Sequence, residues 1–256
     1  MSYRPRSLKY QYELFVDREI EAYKESVPRR EILSIGDEAV QSLAAQQQLA
    51  LTEILLCAEV DRIIRQRLRI PTYCTWRRRR LKALREFSRP ERWGMDPDCA
   101  LAYAIDAAGE GHVLVAGASE EGPALYLAAN GCAVTALDIT EDVVERVMNV
   151  AARVGLTGRV RGLVSDLANW APDMPLEAVV CAAAAFDGLS SIECTRAIGL
   201  LQDATTVGGV HVVETHGGRG SLVTLEELHS VYDGWQISVE RGIRTNETFL
   251  ARKAVA

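Results

Sequence analysis

The sequence predicts an α/β protein in which a largely parallel sheet has helices on both faces and is preceded by an all-helical N-terminal domain. From residue 111 onward, short apolar runs alternate with helical segments, which is typical of strand–helix–strand units. Before residue 100, apolar residues recur at helical spacing without strand alternation. The charge also changes there, because residues 1–100 hold 19 basic and 15 acidic residues and residues 101–256 hold 10 and 20. These observations predict two domains, residues 1–100 and residues 101–256.

Composition and the cysteine pattern narrow the class of protein. With 48% hydrophobic and 25% charged residues among 256, the chain has enough apolar material for a core and does not have the composition of a disordered chain. No apolar run reaches the roughly 18 residues that a bilayer requires, and residues 1–6 lead into a polar segment. The six cysteines stand singly, without histidines at metal-ligand spacing. We therefore expect a cytoplasmic protein with no metal site and no membrane partner.

The N-terminal domain is predicted to consist of helices. Apolar residues keep a helical spacing over residues 8–23, over residues 38–68 and over residues 76–87. Pro71 and Pro90 end the second and third of these segments, because proline disfavours a helical residue before it. The domain is expected to act as a cap or an interaction module.

A strongly basic segment lies within this domain. Twelve basic and two acidic residues lie between Arg62 and Arg92, including the run from Arg77 to Arg80. A nucleic-acid-binding surface is one interpretation. Arginine is frequent along the whole chain, however, and no nucleic-acid-binding motif accompanies the run. The sequence favours a solvated helix face that pairs with the acidic second half of the chain.

Seven strands alternate with helices in the second domain. The runs that predict strands are residues 112–116, 133–137, 160–164, 178–181, 210–215, 235–239 and 248–252. Helices are predicted to begin near Pro123, after Thr140, and at capping boxes that start at Ser190 and Thr224. Gly208 and Gly209 are expected to break the chain before the fifth strand. The last two strands are expected to form a hairpin.

A ligand is expected beyond the carboxyl ends of the strands, where the strand order reverses. Gly117 follows the first strand, and the absence of a side chain there lets the backbone approach a ligand. Asp138 ends the second strand, where a carboxylate can accept both hydroxyls of a ribose. The pair predicts a cofactor that contains a nucleoside. A nicotinamide dinucleotide is disfavoured, because Ser119 stands where a pyrophosphate loop needs glycine and because Glu120 and Glu121 would repel a diphosphate.

Four segments of the second domain form an ordered set of motifs. The glycine loop and its helix read VLVAGASEEGPALYLA over residues 113–128, and the second strand reads VTALDI over residues 134–139. Residues 165–170 read SDLANW, and residues 208–214 read GGVHVVE. The set resembles the motifs of the class I S-adenosylmethionine-dependent methyltransferases and covers roughly residues 100 to 254. The resemblance implies a Rossmann-like, seven-stranded methyltransferase sheet and S-adenosylmethionine as the cofactor.

The resemblance also implies which residues hold this cofactor. They follow the carboxyl ends of the first four strands and are Gly117, Ala118, Ser119, Asp138, Ile139, Asp166, Leu167 and Ala182. The three loop residues would lie under the amino-acid part of the cofactor. Asp138 would bind the ribose hydroxyls, Ile139 would pack on the adenine, and Asp166 would accept a hydrogen bond from the adenine amino group.

The implied activity is methyl transfer, for which a small-molecule acceptor is favoured. His216 and Asp187 are the candidates for a general base, which is needed only for an acceptor that is protonated at neutral pH. Val115, Ser119 and Glu121 depart from acidic and glycine positions of the family. These departures favour the alternative of a catalytically inactive binding or scaffold protein with the same fold. A nicotinamide-dependent reductase is the third interpretation.

Overall fold

The structure, a computed structural model, describes residues 7–45, 53–96, 99–117, 120–216, 223–241 and 246–254. The chain divides into two compact units, residues 1–81 and residues 82–256. Helices precede the strands, and the second unit contains a seven-stranded sheet. The predicted fold class is therefore confirmed. Within the described ranges, every helix is too short or too polar to cross a bilayer.

Helices in the first unit share an apolar core. They are α1 (Leu8–Ser26), α2 (Arg29–Ala45), α3 (Glu53–Arg67) and α4 (Tyr73–Phe87), the last of which continues into the second unit. Ile35 and Ile64 are fully buried in this core. The Tyr12 hydroxyl donates a hydrogen bond to the Pro71 carbonyl oxygen over 2.8 Å and so ties α1 to the segment before α4. The helical pattern of residues 38–68 belongs to α2 and α3, and residues 46–52 lie outside the described residues.

The second unit is built on one mixed sheet. Its strands are β1 (His112–Ala116), β2 (Ala133–Asp138), β3 (Val160–Val164), β4 (Leu176–Cys181), β5 (Thr205–His216), β6 (Gln236–Arg241) and β7 (Asn246–Arg252). The order across the sheet is β3-β2-β1-β4-β5-β7-β6. Strand β7 runs antiparallel to both of its neighbours, and the other pairs are parallel. The strand order therefore reverses between β1 and β4.

Helices cover both faces of the sheet. On one face lie α5 (Ala100–Ala108), α6 (Gly122–Ala129) and α7 (Glu141–Val154), and on the other lie α8 (Ser191–Ala204) and α9 (Leu225–Val231). Along β1, Val113 and Val115 join the first core, whereas Leu114 and Ala116 join the second. Burial on both faces explains why this strand is an unbroken apolar run in the sequence.

The helix starts agree with the sequence, and only the side-chain cap expected from Thr140 is missing. Ser190 and Thr224 each form a capping box, with Glu193 and Glu227 as partners. Thr140 precedes α7, but its side chain makes no capping hydrogen bond. Its backbone N–H instead donates to Asp138 Oδ1 over 2.8 Å. The turn after β2 is thus ordered by the side chain of Asp138.

The fifth strand begins earlier than the sequence predicts. It starts at Thr205, so the expected break at Gly208 and Gly209 is wrong. The Gly208 N–H donates to the Lys253 carbonyl oxygen over 3.0 Å, and the Lys253 N–H donates to the Gly209 carbonyl oxygen over 2.9 Å. Gly208 has a φ of +82°, and the register of pairing with β4 shifts in this part of the strand. The glycine therefore accommodates an irregularity inside the strand and does not end it.

A buried polar network joins β5 to the residue that ends α9. His211 is fully buried, with Nε2 2.7 Å from Thr205 Oγ1 and Nδ1 2.6 Å from the Tyr232 hydroxyl. The Thr205 hydroxyl donates to the Leu201 carbonyl oxygen, so it accepts from Nε2–H, and Tyr232 donates to Nδ1. A neutral imidazole satisfies every bond of this network. Burial, and secondarily the charge of Lys253, lowers the pKa of His211 to about 3.

This network predicts a pH-dependent stability. In the unfolded chain His211 has its ordinary pKa of 6.5, so acid protonates the unfolded state well before the native state. The contribution of neutral His211 to the free energy of unfolding is fully present above pH 6.5 and falls as the pH drops toward 3. Between pH 7.5 and pH 5.5 we expect a loss of about 1.4 kcal/mol in the free energy of unfolding from this group. Urea unfolding at pH 7.5 and at pH 5.5 measures this loss. If the stability of a His211→Gln variant depended on pH in the same way as that of the native protein, the prediction would be contradicted.

Candidate functional site

A cleft of about 240 Å³ opens at the carboxyl edge of the sheet. It is lined by residues that end or follow four strands: 116–117 after β1, 137–140 and Val143 after β2, 165–167 after β3, and 184, 185 and 187 after β4. The strand order reverses at this place, which is where parallel α/β sheets bind their ligands.

Gly117 lies where two of these loops meet. Its φ is +67°, and a Cβ added to it would lie 2.2 Å from the backbone nitrogen of Ala185. Neither the backbone conformation nor the space accommodates a side chain. The Gly117 N–H donates to the Leu137 carbonyl oxygen, and the Ala182 N–H donates to the Ala116 carbonyl oxygen, each over 3.0 Å. These bonds tie the first loop to β2 and to the segment after β4.

Asp138 and Ile139 form the wall of the cleft after β2. The Asp138 side chain is half-buried, and its Oδ1 accepts the hydrogen bond from Thr140. Its Oδ2 has no hydrogen-bond partner among the described residues. Ile139 is 62% exposed, which leaves a large apolar side chain open to solvent at the cleft. The wall therefore combines a carboxylate oxygen that is free to accept hydrogen bonds with an uncovered apolar surface.

Asp166 and Leu167 lie on the cleft wall after β3. Asp166 accepts two hydrogen bonds from Asn169, at 2.7 Å from the backbone N–H and at 2.9 Å from the side-chain amide. The Leu167 side chain is buried. The Ser165 N–H donates to the Asp138 carbonyl oxygen over 3.0 Å, so the loops after β2 and β3 are held side by side.

Ala182 is close to the cleft but does not line it. It precedes a short 3-10 turn, Ala183–Phe186, and this turn places Ala184 and Ala185 on the wall. Cys181 is buried at the end of β4. Burial raises the pKa of its thiol to about 12, so this thiol remains protonated at neutral pH and does not act as a nucleophile.

The three positions that depart from the family pattern have different surroundings. Val115 is buried in the core between the sheet and α6. Glu121 is half-buried at the start of α6 and is not among the residues that line the cleft. Ala118 and Ser119 lie outside the described residues.

The two candidate bases are placed differently. Asp187 is exposed and lines the cleft. His216 is the last residue of β5 and pairs in register with Asn246, and its side chain lies outside the described part of the structure. Because β5 is parallel to β4, the backbone of His216 lies at the same edge of the sheet as the cleft.

The structure adds Thr140 and Val143 to the cleft, which the sequence did not single out as site residues. Val143 is the third residue of α7, which begins three residues after Asp138, so Val143 lies in the first helical turn after the carboxyl end of β2. That position is the signal by which it could have been found.

The charge of the cleft is negative. Asp138, Asp166 and Asp187 line it, and no lysine, arginine or histidine does so among the described residues. Such a wall favours a ligand that carries positive charge and disfavours a diphosphate.

Comparison with known proteins gives structural but no sequence relatives. No protein-family model and no curated protein sequence matches the chain. TehB from Haemophilus influenzae has a TM-score of 0.53 and 17% identity, over 64% of this chain and 65% of TehB. A protein described as an rRNA methylase from Clostridium thermocellum has a TM-score of 0.51 and 17% identity, over 61% of this chain and 94% of that protein. The N-methyltransferase NodS from Bradyrhizobium japonicum WM9 has a TM-score of 0.50 and 12% identity, over 70% of this chain and 96% of NodS.

At sequence identities this low, the structural similarity shows that these proteins share a fold with this chain. The similar structures include methyltransferases, and the sheet has the seven strands that the motifs implied, with β6 and β7 as the expected terminal hairpin. Matches cover 61 to 70% of this chain. The chain has the fold of the class I S-adenosylmethionine-dependent methyltransferases.

Proposed function

We propose that this protein is a methyltransferase that binds S-adenosylmethionine in the cleft at the carboxyl edge of its sheet. The observation that carries the proposal is Asp138, which has a carboxylate oxygen without a partner among the described residues and lines the cleft beside the exposed side chain of Ile139. A carboxylate at the end of the second strand suits a ribose diol, and an apolar surface beside it suits an adenine ring.

The other predicted residues fit parts of the same cofactor. Gly117 leaves backbone without a side chain at the cleft, which suits the amino-acid part of the cofactor. Ala118 and Ser119 are assigned to the same part from the sequence motif, and they lie outside the described residues. Leu167 offers its backbone N–H to the adenine. Asp166 accepts two bonds from Asn169, and a carboxylate has about four acceptor positions, so it retains room for the adenine amino group. Ala182 precedes the turn that places Ala184 and Ala185 on the wall, and we assign this turn to the sulfonium side of the cofactor.

The charge of the cleft supports this cofactor over a dinucleotide. S-adenosylmethionine carries a sulfonium and an ammonium group, and three aspartates line the cleft. When bound, it supplies a methyl group as the electrophile. The protein's own contribution is to hold the cofactor and the acceptor in line and to exclude water.

The acceptor is proposed to be a small molecule, as the sequence favours. The structural neighbours include an rRNA methylase and an N-methyltransferase by name, so the fold alone does not fix the acceptor. Asp187 is the candidate base whose side chain lines the cleft. We assign it that role for an acceptor that must lose a proton, with His216 as the other candidate.

A second candidate function is that of a binding or scaffold protein that has lost catalysis. The observation that favours it is Val115, because an apolar, buried side chain stands beneath the loop where the family has an acid. In this case the cleft keeps its shape but does not hold the cofactor tightly.

Calorimetric titration of the native protein with S-adenosylmethionine and S-adenosylhomocysteine separates the two functions. The methyltransferase proposal predicts one site per chain with micromolar affinity for both compounds and no heat with NADH under the same conditions. Absence of binding by both compounds at millimolar concentration would contradict it and leave the scaffold function.

A further inference from the structure

Helix α4 presents a basic face to solvent. Arg78, Lys82 and Arg85 follow one another at four and three residues, so they lie in a row about 10 Å long on one side of the helix. All three are exposed, and Arg77 and Arg79 beside the row are exposed too. We call these five residues the basic face.

Carboxylates leave most of this charge unneutralised. No described carboxylate lies within 4.0 Å of the four arginines of the basic face, and the Lys82–Glu86 pair is 4.0 Å apart with side chains 80% and 54% exposed. An exposed pair at that distance neutralises little charge. The pairing with the acidic second half of the chain that the sequence favoured is therefore not found for these residues in the described ranges. Arg80 differs, since its guanidinium lies 5.0 Å from the centroid of the Trp76 ring.

Two aromatic side chains of α4 are packed inside the protein, one in the core of each unit. Trp76 packs against Tyr12 and Phe15 in the core of the first unit. Phe87 is buried in the second unit, with its ring 5.1 Å from that of Trp93. Among the described residues, α4 has no exposed large apolar side chain that could insert into a lipid surface, so a partner that binds the basic face has to recognise charge.

We propose that the basic face of α4 binds the sugar–phosphate backbone of a single-stranded polynucleotide. A row of positive charges suits the regular negative charge of one strand, and arginine matches phosphate with two parallel hydrogen bonds. The chain as a whole has a formal charge of −6, so its net charge does not attract a polyanion and the attraction has to come from a local basic surface such as this one. This inference does not depend on the proposed function, because it concerns binding at α4 and not the cleft.

The test is fluorescence anisotropy with a labelled, 20-nucleotide single-stranded RNA of mixed sequence. The first variant combines Arg78→Gln, Arg79→Gln, Lys82→Gln and Arg85→Gln, which removes four charges and keeps good helix formers. The control variant combines Lys9→Gln, Arg30→Gln, Arg153→Gln and Arg196→Gln, four exposed basic residues spread over α1, α2, α7 and α8. Both variants have the same net charge, so a difference between them reports position on the surface.

We expect the α4 variant to bind the RNA at least roughly 10-fold more weakly than the native protein at a fixed salt concentration. Its slope of log affinity against log salt should be shallower by about 2 to 3, since each phosphate contact on a single strand contributes roughly 0.7. The control variant should lose much less RNA affinity than the α4 variant. Circular dichroism should show equal helix content in all three proteins.

Three results would overturn the proposal. The first is absence of RNA binding by the native protein at low salt, and the second is an equal loss in both variants. The third is equally tight binding of poly-glutamate, or of vesicles that contain anionic lipid, since this would show that α4 does not select a polynucleotide. Titration of the α4 variant with S-adenosylhomocysteine is a separate readout, so failure at the basic face and failure at the cleft are distinguishable.

Discussion

Replacing Asp138 with asparagine is expected to weaken the binding of S-adenosylmethionine roughly 30-fold, which corresponds to about 2 kcal/mol for hydrogen bonds to a charged group. The asparagine carbonyl oxygen still accepts the Thr140 N–H, so the turn after β2 keeps its order. What is lost is the charge on the oxygen that faces the cleft. Calorimetry on the native protein and the variant measures the ratio of the two dissociation constants.

Asp173→Asn provides the control for this substitution. Asp173 pairs with Arg161 over 3.0 Å at the surface and is not part of the cleft wall, so its change removes the same charge elsewhere. We expect cofactor affinity to stay within about twofold of the native value. Equal affinity of the native protein and Asp138→Asn would mean that the carboxylate does not contact the ligand.

Replacing Gly117 with alanine is expected to have the largest effect on stability. An alanine with a φ of +67° is strained by about 1 kcal/mol, and its Cβ would collide with the backbone nitrogen of Ala185 at 2.2 Å. Forced overpacking of this kind adds about 2 kcal/mol, so we expect the free energy of unfolding to fall by roughly 3 kcal/mol. The displaced loop should also weaken cofactor binding. Urea unfolding measures the first effect and calorimetry the second.

Gly188→Ala separates backbone strain from the collision. Gly188 has a similar φ of +81°, but no atom lies within 4 Å of a Cβ added there. The free energy of unfolding of this variant should fall by only about 1 kcal/mol, from the backbone conformation alone. Equal losses at Gly117 and Gly188 would show that the contact between the first loop and Ala185 is not tight.

The sheet is the part of the molecule that the sequence predicts well. Strands β1, β2 and β4 are largely buried, so their apolar runs stand out against the polar loops. Residues 117 and 138 could be assigned to one edge because each lies at the carboxyl end of a parallel strand. The start of β5 was missed, since Gly208 looks like a break when its hydrogen bonds to the Lys253 segment are not known.

The details of the cleft depend on how its loops fold, which local sequence does not determine. The Asn169 side chain donates a hydrogen bond to Asp166, and no sequence motif predicts that bond. The turn after β4 moves Ala182 off the wall and places Ala184 on it, although both residues are alanines in one uniform run. Only the three-dimensional path of the turn distinguishes them.

The most direct test of the central claim is a crystal structure of the native protein grown with S-adenosylhomocysteine. We expect the nucleoside in the cleft, with both ribose hydroxyls within hydrogen-bond distance of the Asp138 carboxylate and the adenine against Ile139. A ligand bound elsewhere, or an empty cleft in crystals saturated with the compound, would contradict the assignment of this edge of the sheet as a cofactor site.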